Sequence, residues 1–203
     1  MRVLLSPSFS SGNDPDIAAL ARSLAGPEGE AVLLRELSEA AFRRPLSGGE
    51  VHLLRKALLG SDPDLAVEND EARAPVVGYV CAGKTTLSAG KRRVIAVTDH
   101  VNLAWRSPLT GRNDDRLGPR FPVVAGMYEP GLVSSRVGPE TSLPVESGAV
   151  AGVCDDRRLL AFESRMVREQ GLAAVSSELV PVALLAAHLG IRLAAAVVVA
   201  REE

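Results

Sequence analysis

The chain has 203 residues, a formal net charge of −2 and an aromatic content of 3%. A charge this close to zero disfavours binding to nucleic acid or to an anionic membrane surface, and so few aromatic side chains leave little surface for stacking exposed bases. The length fits a single domain that buries a full core without disulfides or a structural metal. The first residues lack a charged segment followed by an apolar one, so we expect no secretion signal and a cytoplasmic location.

The N-terminal segment predicts a strand, a helix and a second strand. Residues 1–5 form a short apolar run typical of a buried strand, and residues 31–34 form another. Between them, Asp14 suits the N-cap of a helix, Pro15 suits its first turn and Gly26 suits its end.

A second helix is predicted after residue 47. Ser47 and Glu50 have the spacing of a capping box, and the apolar residues that follow recur at helical spacing until Gly60. Residues 61–74 are acidic and show no periodicity, which indicates a surface loop.

The middle of the chain combines apolar strands with one long irregular segment. Residues 75–82 and 94–98 are continuous apolar runs, as expected of strands buried on both faces of a sheet. Residues 102–147 are rich in proline, glycine and arginine. A loop of that length in a compact domain is usually functional or part of an interface.

The C-terminal part alternates strands and helices. The predicted elements are a strand at 149–154, a helix capped by Asp155 or Asp156 and ending near Gln170, a strand at 173–175, a helix capped by Ser177 and ending at Leu189, and a strand at 193–200. This alternation predicts an α/β fold in which helices cover a sheet.

Residues 78–85, GYVCAGKT, match the phosphate-binding pattern G-x-x-x-x-G-K-[ST]. A true phosphate loop needs a strand before its first glycine and a helix that begins at the lysine. Here Tyr79 and Val80 favour a strand that continues through the motif. Only about nine residues separate Thr85 from the strand that begins at Val94, too few for the usual helical crossover between parallel strands. We therefore interpret the motif as the end of a strand.

Residues 97–103, VTDHVNL, and 107–122, SPLTGRNDDRLGPRFP, resemble the purine nucleoside phosphorylase and methylthioadenosine phosphorylase family. Its members typically carry TDHINL followed by NPL-x-GPND-x-R-x-G-x-RFP. The resemblance covers about residues 76–200. It implies a phosphorylase-type twisted, mostly parallel mixed sheet flanked by helices in a single domain, and a homotrimer. It also implies a nucleoside or nucleobase ligand, phosphate as co-substrate and no other cofactor.

The same resemblance implies a set of site residues. The base-binding loop of the family falls on residues 80–84, so Cys81, Ala82 and Gly83 are predicted to contact substrate. The pair that lines ribose and phosphate falls on Ser176 and Ser177. Phe121 corresponds to a side chain that covers the ribose site of a neighbouring subunit, and the alternative is that Phe121 packs only at the interface.

Phosphate binding is implied for Ser177 and His52. His52 ends a Gly-Glu-Val-His segment that aligns with the family's Gly-Arg-x-His motif, and the alternative is an ordinary surface histidine of a helix. Glu50 replaces the arginine of that motif, and a carboxylate there repels phosphate. The three histidines have no metal-ligand spacing, so no metal is expected.

Further departures leave the function open. The family's purine-binding glutamate falls on Leu159, preceded by Arg158, and its late asparagine falls on Arg201. Residues 1–12 lack the family's Gly-Ser-Gly phosphate loop. One hypothesis is a diverged pentosyltransferase that cleaves a purine-type nucleoside with phosphate. The other is a non-catalytic family member that binds a small ligand or assembles with an intact phosphorylase.

Overall fold

The computed structural model describes residues 1–9, 14–60, 74–85, 91–137, 141–156 and 159–199, except for the side chain of Glu39. Seven strands lie in these ranges: β1 (Arg2–Leu5), β2 (Glu30–Leu33), β3 (Val76–Thr85), β4 (Arg93–Asn102), β5 (Val145–Gly152), β6 (Ala174–Ser176) and β7 (Arg192–Val199). The α-helices are α1 (Pro15–Ala25), α2 (Gly48–Leu59), α3 (Pro130–Val137), α4 (Ala161–Glu169) and α5 (Leu179–His188).

The strands form one mixed sheet centred on β3. One edge of β3 pairs with β1 in parallel and, further along, with β6 in the antiparallel direction. The other edge pairs with β7 in parallel. The pairings of β7 with β4, of β4 with β5 and of β5 with β6 close a ring of strands, while β2 extends the sheet beyond β1. Most pairings among the described strands are parallel, which confirms the predicted α/β fold.

Both faces of the sheet are buried, as the continuous apolar runs predicted. Successive side chains of a strand point to opposite faces. Accordingly, Tyr79 and Cys81 pack in the cluster that contains Leu54 of α2, whereas Val80 packs in the cluster that contains Leu20 of α1.

The first two helices begin where their capping residues predicted. The Asp14 carboxylate accepts hydrogen bonds from the backbone N–H groups of Asp16 at 3.1 Å and Ile17 at 3.4 Å. At α2, Ser47 Oγ accepts from the Glu50 N–H, and the Glu50 carboxylate accepts from the Ser47 N–H at 2.7 Å. The predicted acidic loop 61–74 lies outside the described residues apart from Ala74.

Three predictions about helices were wrong, and the first two concern α3 and α4. Residues 102–147 are not all irregular, because α3 forms inside them. Pro130 begins this helix, and Val133 and Val137, four residues apart, bury their side chains in the cluster that contains α1. The prediction that Asp155 or Asp156 caps the next helix also failed, because α4 begins only after Leu160, whose N–H donates to the Glu163 carboxylate at 2.7 Å.

The prediction that Ser177 caps the last long helix was wrong by one residue. The residue before α5 is Glu178, and its side chain makes no capping hydrogen bond to the helix, because that side chain turns towards β3.

The GYVCAGKT motif lies entirely within β3, in agreement with its interpretation as a strand end. Lys84 and Thr85 pair with Val175 and Ala174 of β6, so the backbone at the lysine is extended and does not wrap around a phosphate. Across the part of the chain that the structure describes, the helices are too short or too polar to cross a membrane.

Candidate functional site

A gap in backbone pairing opens along one edge of β3, between β1 and β6. The Ser6 N–H donates to the Val80 carbonyl at 2.9 Å, and pairing to β6 resumes at Lys84. Backbone groups two residues apart on a strand point to the same side, so the N–H and C=O of Ala82 face the gap. We call this gap the β1–β6 fork.

Two side chains, one from the last residue of β6 and one from the segment that follows it, satisfy Ala82 in the fork. The Ala82 N–H donates to Glu178 Oε2 at 3.2 Å, and Ser176 Oγ donates to the Ala82 carbonyl at 2.8 Å. Ser8, just beyond β1, donates its hydroxyl to Glu178 Oε1 at 2.6 Å. Glu178 is 2% exposed and Ser176 is fully buried. The fork is therefore filled by the chain itself, and its polar groups are paired there.

Burial raises the pKa of Glu178 above its ordinary value, and the nearby Asp156 raises it further. The hydroxyl groups of Ser6 and Ser8 and the N–H of Ala82 act in the opposite direction by binding the carboxylate. Burial, with the charge of Glu178, also raises the pKa of Cys81 well above its usual range. Because a thiolate and not a thiol is the reactive form, Cys81 behaves as a buried small side chain.

Further acidic groups lie beyond β5. Arg43 and Asp155 form an ion pair with 3.4 Å between Nε and Oδ1. Burial raises the pKa of Asp156, while the positive charges of Arg43 and Lys84 hold it down. The residues before α2, the end of β3 and the residues after β5 thus bring acidic and basic side chains close to one another.

A pocket opens at the carboxyl ends of three parallel strands. Its walls come from residues 42–46, from the segment after β4 and from the ends of β4, β5 and β6. The lining residues are Phe42, Arg44, Pro45, Leu46, Asn102, Ala104, Arg106, Ser107, Pro108, Gly152, Val153, Ser177, Val180 and Pro181. The cavity volume is about 30 Å³, room for about two water molecules. We call this cavity the carboxyl-edge pocket.

Asn102 gives the carboxyl-edge pocket a polar group with spare capacity. Its Nδ2 donates to the Arg106 carbonyl at 2.8 Å, and its Oδ1 is buried without a hydrogen-bond partner. A buried acceptor without a partner carries a free-energy cost that a ligand N–H or O–H removes. Asn102 is therefore a candidate ligand-binding residue.

Comparison with known proteins assigns the chain to a family. A family model described as the phosphorylase superfamily matches residues 80–202, more than half of the chain. The chain belongs to the phosphorylase superfamily. It is 30% identical over 101 residues to purine nucleoside phosphorylase 1 of Bacillus subtilis, and the match covers 49% of this chain and 37% of that protein. It is 28% identical over 108 residues to purine nucleoside phosphorylase of Mus musculus, with the same coverage.

Solved structures show the same fold at lower identity. The purine nucleoside phosphorylase of Schistosoma mansoni, solved in complex with acetate, has a TM-score of 0.64 and 14% identity, covering 98% of this chain and 80% of that one. A Schistosoma purine nucleoside phosphorylase in complex with hypoxanthine has a TM-score of 0.63 and 15% identity, covering 100% of this chain and 77% of that one. The chain spans 37% of the length of the curated relatives described above.

Within this phosphorylase-superfamily fold, several residues predicted from the family resemblance lie together. Cys81, Ala82 and Ser176 meet at the fork, where Cys81 Sγ lies 3.8 Å from Ser176 Oγ. Ser177 lies next to them and lines the carboxyl-edge pocket. These residues share one region of the molecule, and their contact with substrate stays a prediction.

Gly83 has a clear structural role beside its predicted contact with substrate. A Cβ at this position would lie 2.4 Å from Val197 Cγ1 and 2.7 Å from the Val175 carbonyl oxygen. The absence of a side chain at Gly83 therefore lets β6 and β7 approach β3 closely.

His52 and Phe121 are neither among the residues that meet at the fork nor among those that line the pocket. His52 is exposed on α2, and Phe121 is exposed on the segment between β4 and α3. Glu50 holds Arg44 through two hydrogen bonds, at 2.9 and 2.7 Å, besides its capping role. Leu159 packs against a cluster that contains Val153 and Val175, whereas Arg158 and Arg201 lie outside the described residues.

Sequence reasoning missed Glu178 and Asn102. Glu178 directly follows the predicted Ser176–Ser177 pair, but nothing local distinguishes it from an ordinary first-turn acid. Asn102 stands inside the VTDHVNL segment, so its position in a family motif was the available signal.

Proposed function

We propose that this chain binds a purine-type nucleoside or nucleobase in the carboxyl-edge pocket, and that its reaction class is transfer of the pentosyl group to phosphate. The observation that carries the proposal is the position of the pocket. Asn102, Gly152 and Ser177 come from the ends of three neighbouring strands, and ligands of α/β sheets bind outside the carboxyl ends of their strands. All three residues lie within the part of the chain that matches the phosphorylase superfamily.

The chemistry of the pocket suits a flat heterocycle with polar edges. Phe42, Leu46 and Val180 supply apolar surface, and Asn102 Oδ1 supplies a hydrogen-bond acceptor. Small-molecule sites combine mostly apolar walls with a few placed polar groups in this way. The cavity has to widen before it accepts a ligand of this size, and residues 42–46 and the segment after β4 form walls that are not part of the sheet.

Thermal unfolding with inosine, adenosine, methylthioadenosine and hypoxanthine tests binding. A ligand present at about a hundredfold above its Kd stabilises the folded chain by about 2.7 kcal/mol. We expect Asn102→Ala to weaken this stabilisation because the variant removes the free acceptor. Ser135→Ala, on the exposed face of α3, is the matched control and should respond like the unmodified chain. The absence of any shift with all four compounds would contradict the proposal.

Release of free base from a nucleoside in the presence of phosphate tests the reaction class.

The second candidate is binding without catalysis, and two observations favour it. Leu159, which has no acceptor for a purine N–H, stands where the family's purine-binding glutamate is expected, and Glu178 fills the fork. This second function is supported if a nucleoside gives a saturable thermal shift and yet no base is released from it, even when the protein is as concentrated as the substrate.

We also propose that the chain forms a homotrimer through the segment between β4 and α3. Trp105, Phe121 and Val123 on this segment are 90%, 84% and 76% exposed. Exposed apolar side chains mark interaction surfaces when they form one contiguous patch, and we propose that these three do so in the assembly. In a trimer Phe121 would either reach the neighbouring pocket or pack only at the interface.

A further inference from the structure

We propose that the β1–β6 fork is an oxyanion site that the chain fills with its own Glu178 carboxylate, so that free phosphate does not enter it. The inference rests on the geometry of the fork. It holds whether or not the carboxyl-edge pocket binds a nucleoside.

A donor from β3 and a donor from the segment that follows β1 converge on this carboxylate. The Ser8 hydroxyl donates to Oε1 at 2.6 Å and the Ala82 N–H donates to Oε2 at 3.2 Å. Both donors are neutral, and they lie where the parallel strands β1 and β3 run side by side towards their carboxyl ends. Backbone N–H groups at the edge of a sheet and side-chain hydroxyl groups commonly hold phosphate and other anions.

Glu178 does not serve the helix that it precedes. Its side chain makes no hydrogen bond to the first turn of α5, although an acid at that position ordinarily stabilises the helix start. Instead it spans 170 residues of sequence to reach Ser8 and 96 residues to reach Ala82. The carboxylate is therefore placed for the fork and not for the helix.

An anion that is part of the chain competes strongly with one in solution. A group held in place acts at a high effective concentration, and Glu178 is almost fully buried with both oxygens paired. A phosphate that approached the fork would meet the like charges of Glu178 and of the neighbouring Asp156. A phosphate co-substrate would then have to reach the pocket from the side of Arg44 and Ser177.

Truncation of Glu178 should convert the fork into a site for an added anion. In Glu178→Ala the donors of Ser8 and Ala82 lose their acceptor, which lowers stability because buried donors without partners are costly. Formate and inorganic phosphate are the probes. We expect each to raise the unfolding midpoint of this variant saturably by several degrees, beyond the effect of sodium chloride at equal ionic strength. We expect the unmodified chain to show no such response to formate, the probe that is not the proposed co-substrate.

Two further variants make the experiment specific. Glu163→Ala removes another glutamate that accepts a backbone N–H at a helix start, but through an exposed hydrogen bond, and it should show no saturable rescue. Adding Ser8→Ala to Glu178→Ala should weaken the rescue by removing one donor. If Glu178→Ala folds and responds no more than Glu163→Ala, the proposal is wrong.

The unmodified chain provides a test that does not depend on the folding of any variant. The amide resonance of Ala82 reports directly on the fork, and we expect it to stay unchanged while phosphate is titrated into the labelled protein. A saturable shift of this resonance would overturn the proposal, because it would place phosphate at the Ala82 N–H. In Glu178→Gln the side chain keeps its shape but has no charge, and the Ala82 resonance can be followed in this variant in the same way.

Discussion

Gly83 lies where β3 passes between β6 and β7, and the space there fits only a hydrogen atom. An added Cβ would meet a backbone carbonyl at 2.7 Å and a methyl group at 2.4 Å. We expect Gly83→Ala to lower the free energy of unfolding by about 1–3 kcal/mol, as other overpacked core sites do. Gly48→Ala is the control, since nothing lies within 4 Å of its Cβ and alanine favours helix over glycine. Urea unfolding measures both, and equal losses would contradict this assignment.

Glu178 should make stability depend on pH in a defined direction. Its pKa in the folded chain is raised above the ordinary 4.5, chiefly by burial, so the folded chain holds this proton more tightly than the unfolded chain. The stability that this proton contributes is present at low pH and is lost as pH rises through the raised pKa. In Glu178→Gln this loss is absent. Unfolding midpoints measured from acid to neutral pH should therefore fall in the unmodified chain relative to the variant, and the opposite trend would contradict the assignment.

At the scale of elements, α2 depends on its N-terminal cap. Glu50 accepts from the Ser47 N–H and from Arg44, and the Arg44 side chain lowers the pKa of Glu50 to about 2. Because the folded pKa is lowered, the contribution is present above the ordinary 4.5 and is lost as pH falls towards about 2. We expect Glu50→Gln to cost about 0.5–1 kcal/mol at neutral pH, the lower part of the range for a lost cap.

Urea unfolding at neutral and at acidic pH measures this difference between the unmodified chain and Glu50→Gln. The two should converge as pH falls through the window below 4.5. A gap that stays constant with pH would mean that the charge of Glu50 does not stabilise α2. Glu36→Gln, at an exposed position outside the helices, is the control and should show no gap at either pH.

Elements with local signals were predictable from sequence, and elements fixed by tertiary contacts were not. Asp14–Pro15 and the Ser47–Glu50 pair begin their helices through side-chain contacts to the next few residues, so the signal is contained in a short window. The start of α3 is different. The Glu129 N–H donates to the Leu193 carbonyl of β7, and no local pattern around Pro130 contains that strand.

At the scale of the whole molecule, the family was predictable because the motifs at residues 97–103 and 107–122 are long and keep their internal spacing. The fork was not, because it depends on Ser8, Ala82 and Glu178, which are brought together only by the closed ring of strands. The resemblance indicated a strand end near Ala82. It could not indicate that β1 and β6 leave the backbone of this residue unpaired, or that a distant carboxylate fills the gap.

The exposed side chains of Trp105, Phe121 and Val123 belong to a segment that is fixed to the rest of the molecule. His188, buried in α5, donates from Nδ1 to the Pro119 carbonyl at 2.9 Å, and within the segment itself Asn113 donates to the Gly118 carbonyl at 3.0 Å. A second anchor is the contact between His100 Nδ1 and the Tyr128 hydroxyl at 2.7 Å. Because the segment is already ordered by these bonds, it loses little conformational entropy on association.

This arrangement predicts that the chain associates through these side chains. Light scattering on a sizing column should give three times the chain mass of 21.4 kDa, and Phe121→Ser with Val123→Ser should shift the population to the single chain. Burial of one phenylalanine contributes about 1.5–3 kcal/mol, and a trimer repeats the contact at each interface. The matched control is Phe162→Ser on α4, since Phe162 is also exposed, at 64%, but lies outside the segment. If the unmodified chain elutes as a single copy, or if Phe162→Ser dissociates it equally, this surface does not form the trimer interface.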